Sequence, residues 1–125
     1  MAGKNTQKIQ KSVEIFGDFF NCQYDLRDLK NILIEVKKIL KKNKVKDLKN
    51  IYHIFKINGG FTLLFILSNS HLAIHTWPEK KLLNLDLFIC NFKKDYYNHS
   101  INVYKDIKFF LKPQKTKFKK IIRYT

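Results

Sequence analysis

The nonapeptide LLNLDLFIC, Leu82 to Cys90, alternates between apolar and more polar positions. Successive side chains of a β-strand point to opposite faces of a sheet. One face of this segment is therefore purely aliphatic, with Leu83, Leu85, Leu87 and Ile89. The other face carries Asn84, Asp86, Phe88 and Cys90. We expect a layer of helix to cover the aliphatic face, and we expect the face with Cys90 to lie in a more polar environment.

Five further segments have the short apolar or alternating patterns of strands: residues 13–20, 50–57, 61–67, 71–77 and 117–124. The segment FTLLFIL, residues 61–67, is apolar at every position except Thr62, which predicts a strand covered on both faces. A Gly59-Gly60 turn precedes it, and Pro78 ends the strand that follows.

Two segments have the periodicity of amphipathic helices, residues 25–42 and 100–111. Asp25 is the predicted N-cap of the first helix, and Asp28 suits its first turn. Residues 1–11 are expected to form a polar, loose leader. The order of elements predicts an α+β fold, a two-layer α/β sandwich in which two helices cover one face of an antiparallel sheet. A length of 125 residues suits a single domain, 1–125.

The chain is strongly basic, with a formal net charge of +15. Nucleic acid is the obvious partner for such a charge. However, Arg27 and Arg123 are the only arginines, and arginine is the residue best suited to bidentate contacts with guanine and phosphate. The lysines are also spread over both halves of the chain. We therefore interpret the charge as a solvated lysine surface, with a basic nucleic-acid module as the alternative.

Composition also bears on the compartment. The longest apolar run, FTLLFIL, is far short of the ~20 residues of a membrane span, and no basic-then-apolar leader opens the sequence. We expect a cytoplasmic protein without membrane association. Cys22 and Cys90 could pair, but in that compartment we expect them to be free thiols.

His71 and His75 are candidate functional residues, although either could be an ordinary strand histidine. In a strand they would lie ~13 Å apart at ~3.3 Å per residue, too far to share one zinc ion. We therefore expect no metal site. A hydrolase that pairs Cys90 with a histidine is conceivable, but no third, orienting group is evident in the sequence.

The segment SHLAIHTWPE, residues 70–79, and LDLFIC, with Cys90 twenty residues after Ser70, together resemble the short prokaryotic S-adenosylmethionine decarboxylases. The signature of that family is Glu-Ser-His-Leu-x-Ile-His-Thr-Trp-Pro-Glu followed by Asp-x-Phe-x-Cys-Gly. Weaker similarity extends to YHIF, to GFT and to the opening strand with Cys22. The chain resembles a divergent member of the family.

The resemblance implies a self-cleaving proenzyme. In the family the serine hydroxyl attacks the carbonyl of the preceding residue, and β-elimination then splits the chain and leaves the serine as an N-terminal pyruvoyl group. That covalently bound cofactor forms a Schiff base with the substrate amine and serves as an electron sink. Here the cleavage would fall between Asn69 and Ser70, giving fragments 1–69 and 70–125. The implied activity is decarboxylation of S-adenosylmethionine in polyamine (spermidine) biosynthesis.

The resemblance also implies roles for individual residues. Ser70 would be the pyruvoyl precursor, His75 the proton acceptor for processing, Thr62 its hydroxyl support, and Cys90 the proton donor for catalysis. The implied substrate-binding residues are Phe55, Trp77 and Glu79. Phe55 would stack on the adenine ring, and Glu79 would bind the ribose. Members of this family form homodimers whose active sites draw on both subunits, so we expect a homodimer here.

The chain departs from the family pattern at several positions. Asn69 replaces the glutamate before the serine, Asn91 replaces the glycine after the cysteine, and Leu63 replaces a glycine. Two alternatives remain open: a pyruvoyl-dependent arginine or ornithine decarboxylase on the same scaffold, and an uncleaved, non-catalytic homologue. Strict alternation would also place Ser70 and His75 on opposite faces of the strand, so we expect a bend or bulge at Ser70.

Overall fold

The computed structural model describes residues 8–92 and 94–125. They form six strands, two helices and a short 3-10 helix. The strands are β1 (Lys11–Cys22), β2 (Asp47–Ile54), β3 (Phe61–Leu67), β4 (Ser70–Trp77), β5 (Leu82–Ile89) and β6 (Pro113–Tyr124). The helices are α1 (Leu29–Lys42) and α2 (Tyr97–Leu111), and the 3-10 turn is Pro78–Lys80.

All six strands belong to one antiparallel sheet with the order β2-β3-β4-β5-β1-β6. The predicted α+β sandwich is confirmed, because α1 and α2 contribute buried residues to the hydrophobic core on one face of this sheet. The predicted alternation of β5 is also confirmed: its odd-numbered residues from Leu83 to Ile89 are buried and the even-numbered ones are half-buried. We call the opposite, uncovered side the open face.

The prediction that β3 is covered on both faces is wrong for the single chain. Phe61, Leu63, Phe65 and Leu67 are buried, whereas Leu64 and Ile66 are 41% and 51% exposed on the open face. The two helices cover only one side of the sheet, so these apolar side chains remain accessible. The predicted leader falls largely outside the described residues, and Lys11 already belongs to β1.

The N-cap of α1 is Asp28 and not Asp25. The Asp28 carboxylate accepts a hydrogen bond from the Asn31 backbone N–H at 3.3 Å, and Tyr24 Oη donates to it at 2.9 Å. Asp25 instead accepts from the Arg27 N–H, at 3.0 Å, in a turn that precedes the helix.

Neither helix in the described part of the chain has the length and the apolar composition of a membrane span.

We expect Asp28→Ala to lower the free energy of unfolding by about 1 kcal/mol, the usual contribution of an N-cap, and Asp25→Ala to lower it less. The hydrogen bonds from Asn31 and then Tyr24 lower the pKa of Asp28. The contribution should therefore be complete above about pH 4, the ordinary pKa of aspartate, and be lost as the pH falls through the lower, folded-state pKa. Urea unfolding of both variants from pH 7 to pH 2.5 measures this, and an equal loss in both would contradict the assignment.

Candidate active site

Ser70 lies where a tight turn ends and β4 begins. Ser68 and Asn69 connect β3 to β4, and Leu67 faces Ser70 across the hairpin. The φ angle of Ser70 is +148°, in a region that is almost reserved for glycine and costs another residue about 1–3 kcal/mol. Ser70 also pairs with Ile89 of β5, so that strands on both sides hold it in place. The backbone strain therefore lies at the residue that follows the Asn69–Ser70 peptide bond.

The carbonyl group of this peptide bond is held by Cys90. The Asn69 carbonyl oxygen accepts a hydrogen bond from the Cys90 backbone N–H at 2.9 Å and from the Cys90 thiol at 2.7 Å. The Asn69 side-chain amide donates in return to the Cys90 carbonyl oxygen at 3.5 Å. Two donors aimed at one carbonyl oxygen stabilise negative charge that develops there during nucleophilic attack.

A cluster of charged and polar side chains lies beside Ser70 on the open face. His71 Nδ1 is 3.4 Å from Ser70 Oγ, and His71 Nε2 is 3.4 Å from Asp86 Oδ2 and 4.0 Å from Glu14 Oε2. Arg123 donates to Glu14 Oε1 at 2.7 Å. Burial of Glu14, followed by the neighbouring Asp86 carboxyl group, raises the pKa of Glu14.

Thr62 and His75 form a separate pair near the other end of the hairpin. They face each other across β3 and β4, with Thr62 Oγ1 3.0 Å from His75 Nδ1. Both line a pocket of about 290 Å³, together with Phe55, Ile57, Asn58, Phe61, Thr76 and Trp77. The expected adenine-stacking residue, Phe55, and the expected substrate contact, Trp77, therefore lie with this pair.

Two side chains at the edge of this pocket are fixed by hydrogen bonds. Trp77 Nε1 donates to Asn84 Oδ1 at 2.6 Å, although the side chain remains 42% exposed. Glu79 lies outside the pocket lining and accepts a hydrogen bond from the side-chain amide of Asn58, which belongs to the lining. A carboxylate and an indole therefore border the pocket.

The single chain does not bring all the expected site residues together. Ser70 and Cys90 lie at one end of the hairpin, and Thr62 and His75 lie at the other. His75 lies five positions after Ser70 along an extended strand, roughly 16 Å away at ~3.3 Å per residue. A bend or bulge was expected at Ser70, but β4 pairs with β3 and β5 in regular register from Ser70 to His75. The irregularity at Ser70 is limited to its positive φ, which does not shorten this separation.

The two cysteines are free, as expected, and their surroundings differ. Cys22 is buried, its thiol donates to the Phe19 carbonyl oxygen at 3.6 Å, and burial raises its pKa to about 11. A thiol with so high a pKa is almost fully protonated at neutral pH and therefore unreactive. Cys90 is half-buried and contacts the Asn69 carbonyl, so only Cys90 lies at the candidate site.

Sequence reasoning did not find the partners of His71. For Asp86, the sequence contained one indication, because the strand alternation places Asp86 on the same face as Cys90. The contact with Glu14 depends on the register of β1 against β5, in which Glu14 faces Phe88. That register is a non-local property, which a local pattern does not contain.

Comparison with known proteins agrees with this architecture. Residues 13–124 match the family model described as S-adenosylmethionine decarboxylase. A Clostridium botulinum protein named S-adenosylmethionine decarboxylase proenzyme is 35% identical over 75 residues, 59% of this chain and 64% of that protein. The chain thus aligns with less than two thirds of the length of this relative. A protein of the same name from Pyrobaculum islandicum is 31% identical over 91 residues, 72% of this chain and 73% of that one.

A solved structure shares the fold. The adenosylmethionine decarboxylase from Aquifex aeolicus superposes with a TM-score of 0.75 over 88% of each chain, at 21% sequence identity. The family model extends from the third residue of β1 to the end of β6 and includes both helices. On this evidence, the chain belongs to the S-adenosylmethionine decarboxylase family.

Proposed function

We propose that this protein is a self-cleaving, pyruvoyl-dependent decarboxylase of S-adenosylmethionine that acts in polyamine (spermidine) biosynthesis in the cytoplasm. The observation that carries the proposal is the geometry of the Asn69–Ser70 peptide. Ser70 combines a hydroxyl group with a strained φ, and the preceding carbonyl oxygen accepts two hydrogen bonds from Cys90. The replacement of the family glutamate by Asn69 leaves the backbone carbonyl, on which the chemistry acts, in place.

Cleavage would proceed in two stages. In the first, Ser70 Oγ attacks the Asn69 carbonyl carbon, and the amide becomes an ester with a free amino group on Ser70. The hydrogen bonds from Cys90 stabilise the negative oxygen of that step. In the second, loss of the Ser70 α-proton eliminates the carboxylate of Asn69, and hydrolysis of the resulting enamine releases ammonia. The fragments are 1–69 and 70–125.

The residues around Ser70 fit the resulting cofactor. Position 70 is held between β3 and β5, and its side chain is half-buried, so that a substrate amine can reach it. The pyruvoyl group, when formed, supplies a ketone that binds the substrate amine and accepts electrons during the loss of carbon dioxide. Cleavage would also remove the Asn69 carbonyl from Cys90, whose thiol is then a free proton donor beside position 70.

The pocket near His75 supplies the features expected for the rest of the substrate. Phe55 and Trp77 offer aromatic surface for an adenine ring, and Glu79 offers a carboxylate for ribose hydroxyls. An adenine ring uses the aromatic surface of Phe55 and Trp77 more fully than the side chain of arginine or ornithine does, so this pocket favours S-adenosylmethionine. Release of carbon dioxide from the three substrates, compared under identical conditions, tests the choice.

The distance between the two halves of the site supports a homodimer. His75 and Thr62 of one chain are too far from its own Ser70, so a complete site requires them from a second copy related by two-fold symmetry. The open face is suited to that contact, because it presents Leu64 and Ile66 without a covering layer. The +15 charge opposes association, but salt at ~0.15 M screens exposed charges beyond ~8 Å.

Purified wild-type protein should be two fragments, with the second starting at a pyruvoyl group in place of Ser70. Ser70→Ala removes the attacking hydroxyl and should remain whole. Ser68→Ala, two residues earlier in the turn, is the matched control: its hydroxyl donates to the Asn69 side chain at 2.7 Å and not to the carbonyl under attack, so this variant should still cleave. Intact mass spectrometry distinguishes the species, and wild-type protein that stays whole after long incubation at neutral pH would favour a non-catalytic homologue.

Cys90→Ala should still cleave at Ser70, because the backbone N–H at position 90 continues to hold the Asn69 carbonyl. Decarboxylation should fall by roughly 10²–10⁴-fold, the usual contribution of a placed general acid. Cys22→Ala, which removes the buried thiol, should retain the wild-type rate per folded molecule. Measured carbon dioxide release by Cys90→Ala at the wild-type rate would remove this residue from the mechanism.

Shared sites predict complementation between two inactive variants. Ser70→Ala should remain uncleaved when expressed alone, because it lacks the nucleophile. His75→Ala should also remain uncleaved when expressed alone, because each of its Ser70 residues then faces a subunit without the His75 base. When they are co-expressed, the His75→Ala chain should be cleaved in mixed dimers. Mass spectrometry detects its two fragments, and light scattering should show a dimer at micromolar concentration. A monomer with full activity would exclude the shared site.

A further inference from the structure

Ser70, His71 and Asp86 form a chain of contacts that contains a nucleophile, a base and a carboxylate. Ser70 Oγ is 3.4 Å from His71 Nδ1, and His71 Nε2 is 3.4 Å from Asp86 Oδ2. Both distances are longer than an optimal hydrogen bond, as is common in catalytic sites whose contacts shorten only when the reaction proceeds. This arrangement has the connectivity of a Ser-His-Asp triad, with the roles of the two imidazole nitrogens exchanged.

We propose that His71 is the base that removes the Ser70 hydroxyl proton in the first stage of cleavage, and that Asp86 positions its imidazole. The proposal rests on the self-cleavage proposed above. The base of the acyl shift is then a residue of the same chain. Removal of the Ser70 α-proton in the second stage requires another base, for which we propose the partner's His75.

The positions of the two histidines favour His71 for this step. His75 is committed to Thr62 at 3.0 Å and lies roughly 16 Å along the strand from Ser70, at ~3.3 Å per residue. His71 is the neighbour of Ser70 in sequence. In a regular strand these consecutive side chains would point to opposite faces, but the positive φ of Ser70 departs from that geometry and leaves them in contact.

The surroundings of His71 fix its tautomer. A carboxylate can only accept, so Asp86 favours the proton on Nε2 and leaves Nδ1 free to accept from Ser70. Glu14 of β1 lies 4.0 Å from Nε2 and is 5% exposed, and Arg123 of β6 donates to it at 2.7 Å. The ligand atoms of Glu14, His71 and Asp86 lie within 4.8 Å of one another, but the guanidinium already on Glu14 opposes a metal cation there.

All the protons and bonding electrons that this step needs come from the chain itself. The proton passes from Ser70 Oγ to His71 Nδ1 as the Oγ–C bond forms at Asn69, and the Cys90 N–H and thiol hold the negative carbonyl oxygen. The imidazolium then returns the proton to the Ser70 nitrogen as the C–N bond breaks. The products are the ester and a free amine, and no further reactant is consumed.

Substitutions at His71 test the proposal in full-length protein. His71→Asn retains a hydrogen-bonding group near the Nδ1 position but cannot take up a proton, and His71→Ala removes the ring. Both should cleave roughly 10²–10⁴-fold more slowly than wild type. Free imidazole should partly restore cleavage of His71→Ala. His99→Ala, on α2 and away from the open face, is the control and should cleave at the wild-type rate.

Hydroxylamine identifies the stage that is blocked, because it cleaves esters and leaves amides intact. The His71 variants should remain resistant to it, since their block precedes the ester. Sensitivity to hydroxylamine, or cleavage at the wild-type rate, would overturn the proposal. Wild-type protein that does not cleave in the same assay would instead refute the proposed function. Circular dichroism identifies a variant that fails to fold, in which case the other His71 variant gives the result.

Asp86 has a separate test, because it acts through His71. Asp86→Asn should slow cleavage in the wild-type background and have little further effect in the His71→Ala background. A purely structural contribution of Asp86 would slow cleavage by the same factor in both backgrounds. Equal factors would therefore overturn the positioning role.

Discussion

Burial of one sheet face is the constraint on which the rest of this structure depends. β5 lies between β4 and β1, and its leucines pack with Leu72 and Ile74 of β4 under the helix layer. Because the side-chain period of a strand is two, burial of Leu83, Leu85 and Leu87 places Asn84, Asp86 and Phe88 on the open face. A slip of one residue would exchange the two faces, at the cost of the whole core. The apolar core thus determines where the polar chemistry is displayed.

The strained residue at the start of β4, Ser70, is held by the same contacts that surround the proposed cleavage site. A positive φ at Ser70 persists because strand neighbours on both sides and the contacts between Asn69 and Cys90 over-determine the turn. The same contacts orient the Asn69 carbonyl and place two donors on its oxygen. A hydrogen-bonding arrangement that holds the hairpin therefore also orients the peptide bond at which we propose cleavage. Local rules of backbone preference are broken here, as is common at functional sites of otherwise consistent folds.

The use of arginine is informative in a chain whose basic residues are nearly all lysines. Arg27 donates from Nε to the Asn58 carbonyl oxygen at 2.9 Å and so fixes the loop before β3. Arg123 holds the buried carboxylate of Glu14. Both arginines therefore make defined internal contacts, and the lysines supply the surface charge. This distribution supports a solvated basic surface over a nucleic-acid site, for which arginine forks would be expected.

The sequence by itself determined the element types, the α+β class and the residues that carry the family signature, because these depend on short-range periodicity and on motifs contiguous in the chain. It did not determine the N-cap of α1, since Asp25 and Asp28 are equally suitable by residue type and only the contacts of Tyr24 and Asn31 select Asp28. The exposure of Leu64 and Ile66 depends on where the helices lie.

Tertiary structure alone decided which site residues meet. Ser70 and His75 are five positions apart in sequence but separated by the extension of the strand, whereas Asn69 and Cys90, 21 positions apart, are joined by the pairing of β4 with β5. The contacts of His71 with Asp86 and Glu14 likewise depend on the registers of three strands. Registers follow from the simultaneous packing of the whole sheet, and for that physical reason no single segment of the sequence contains them.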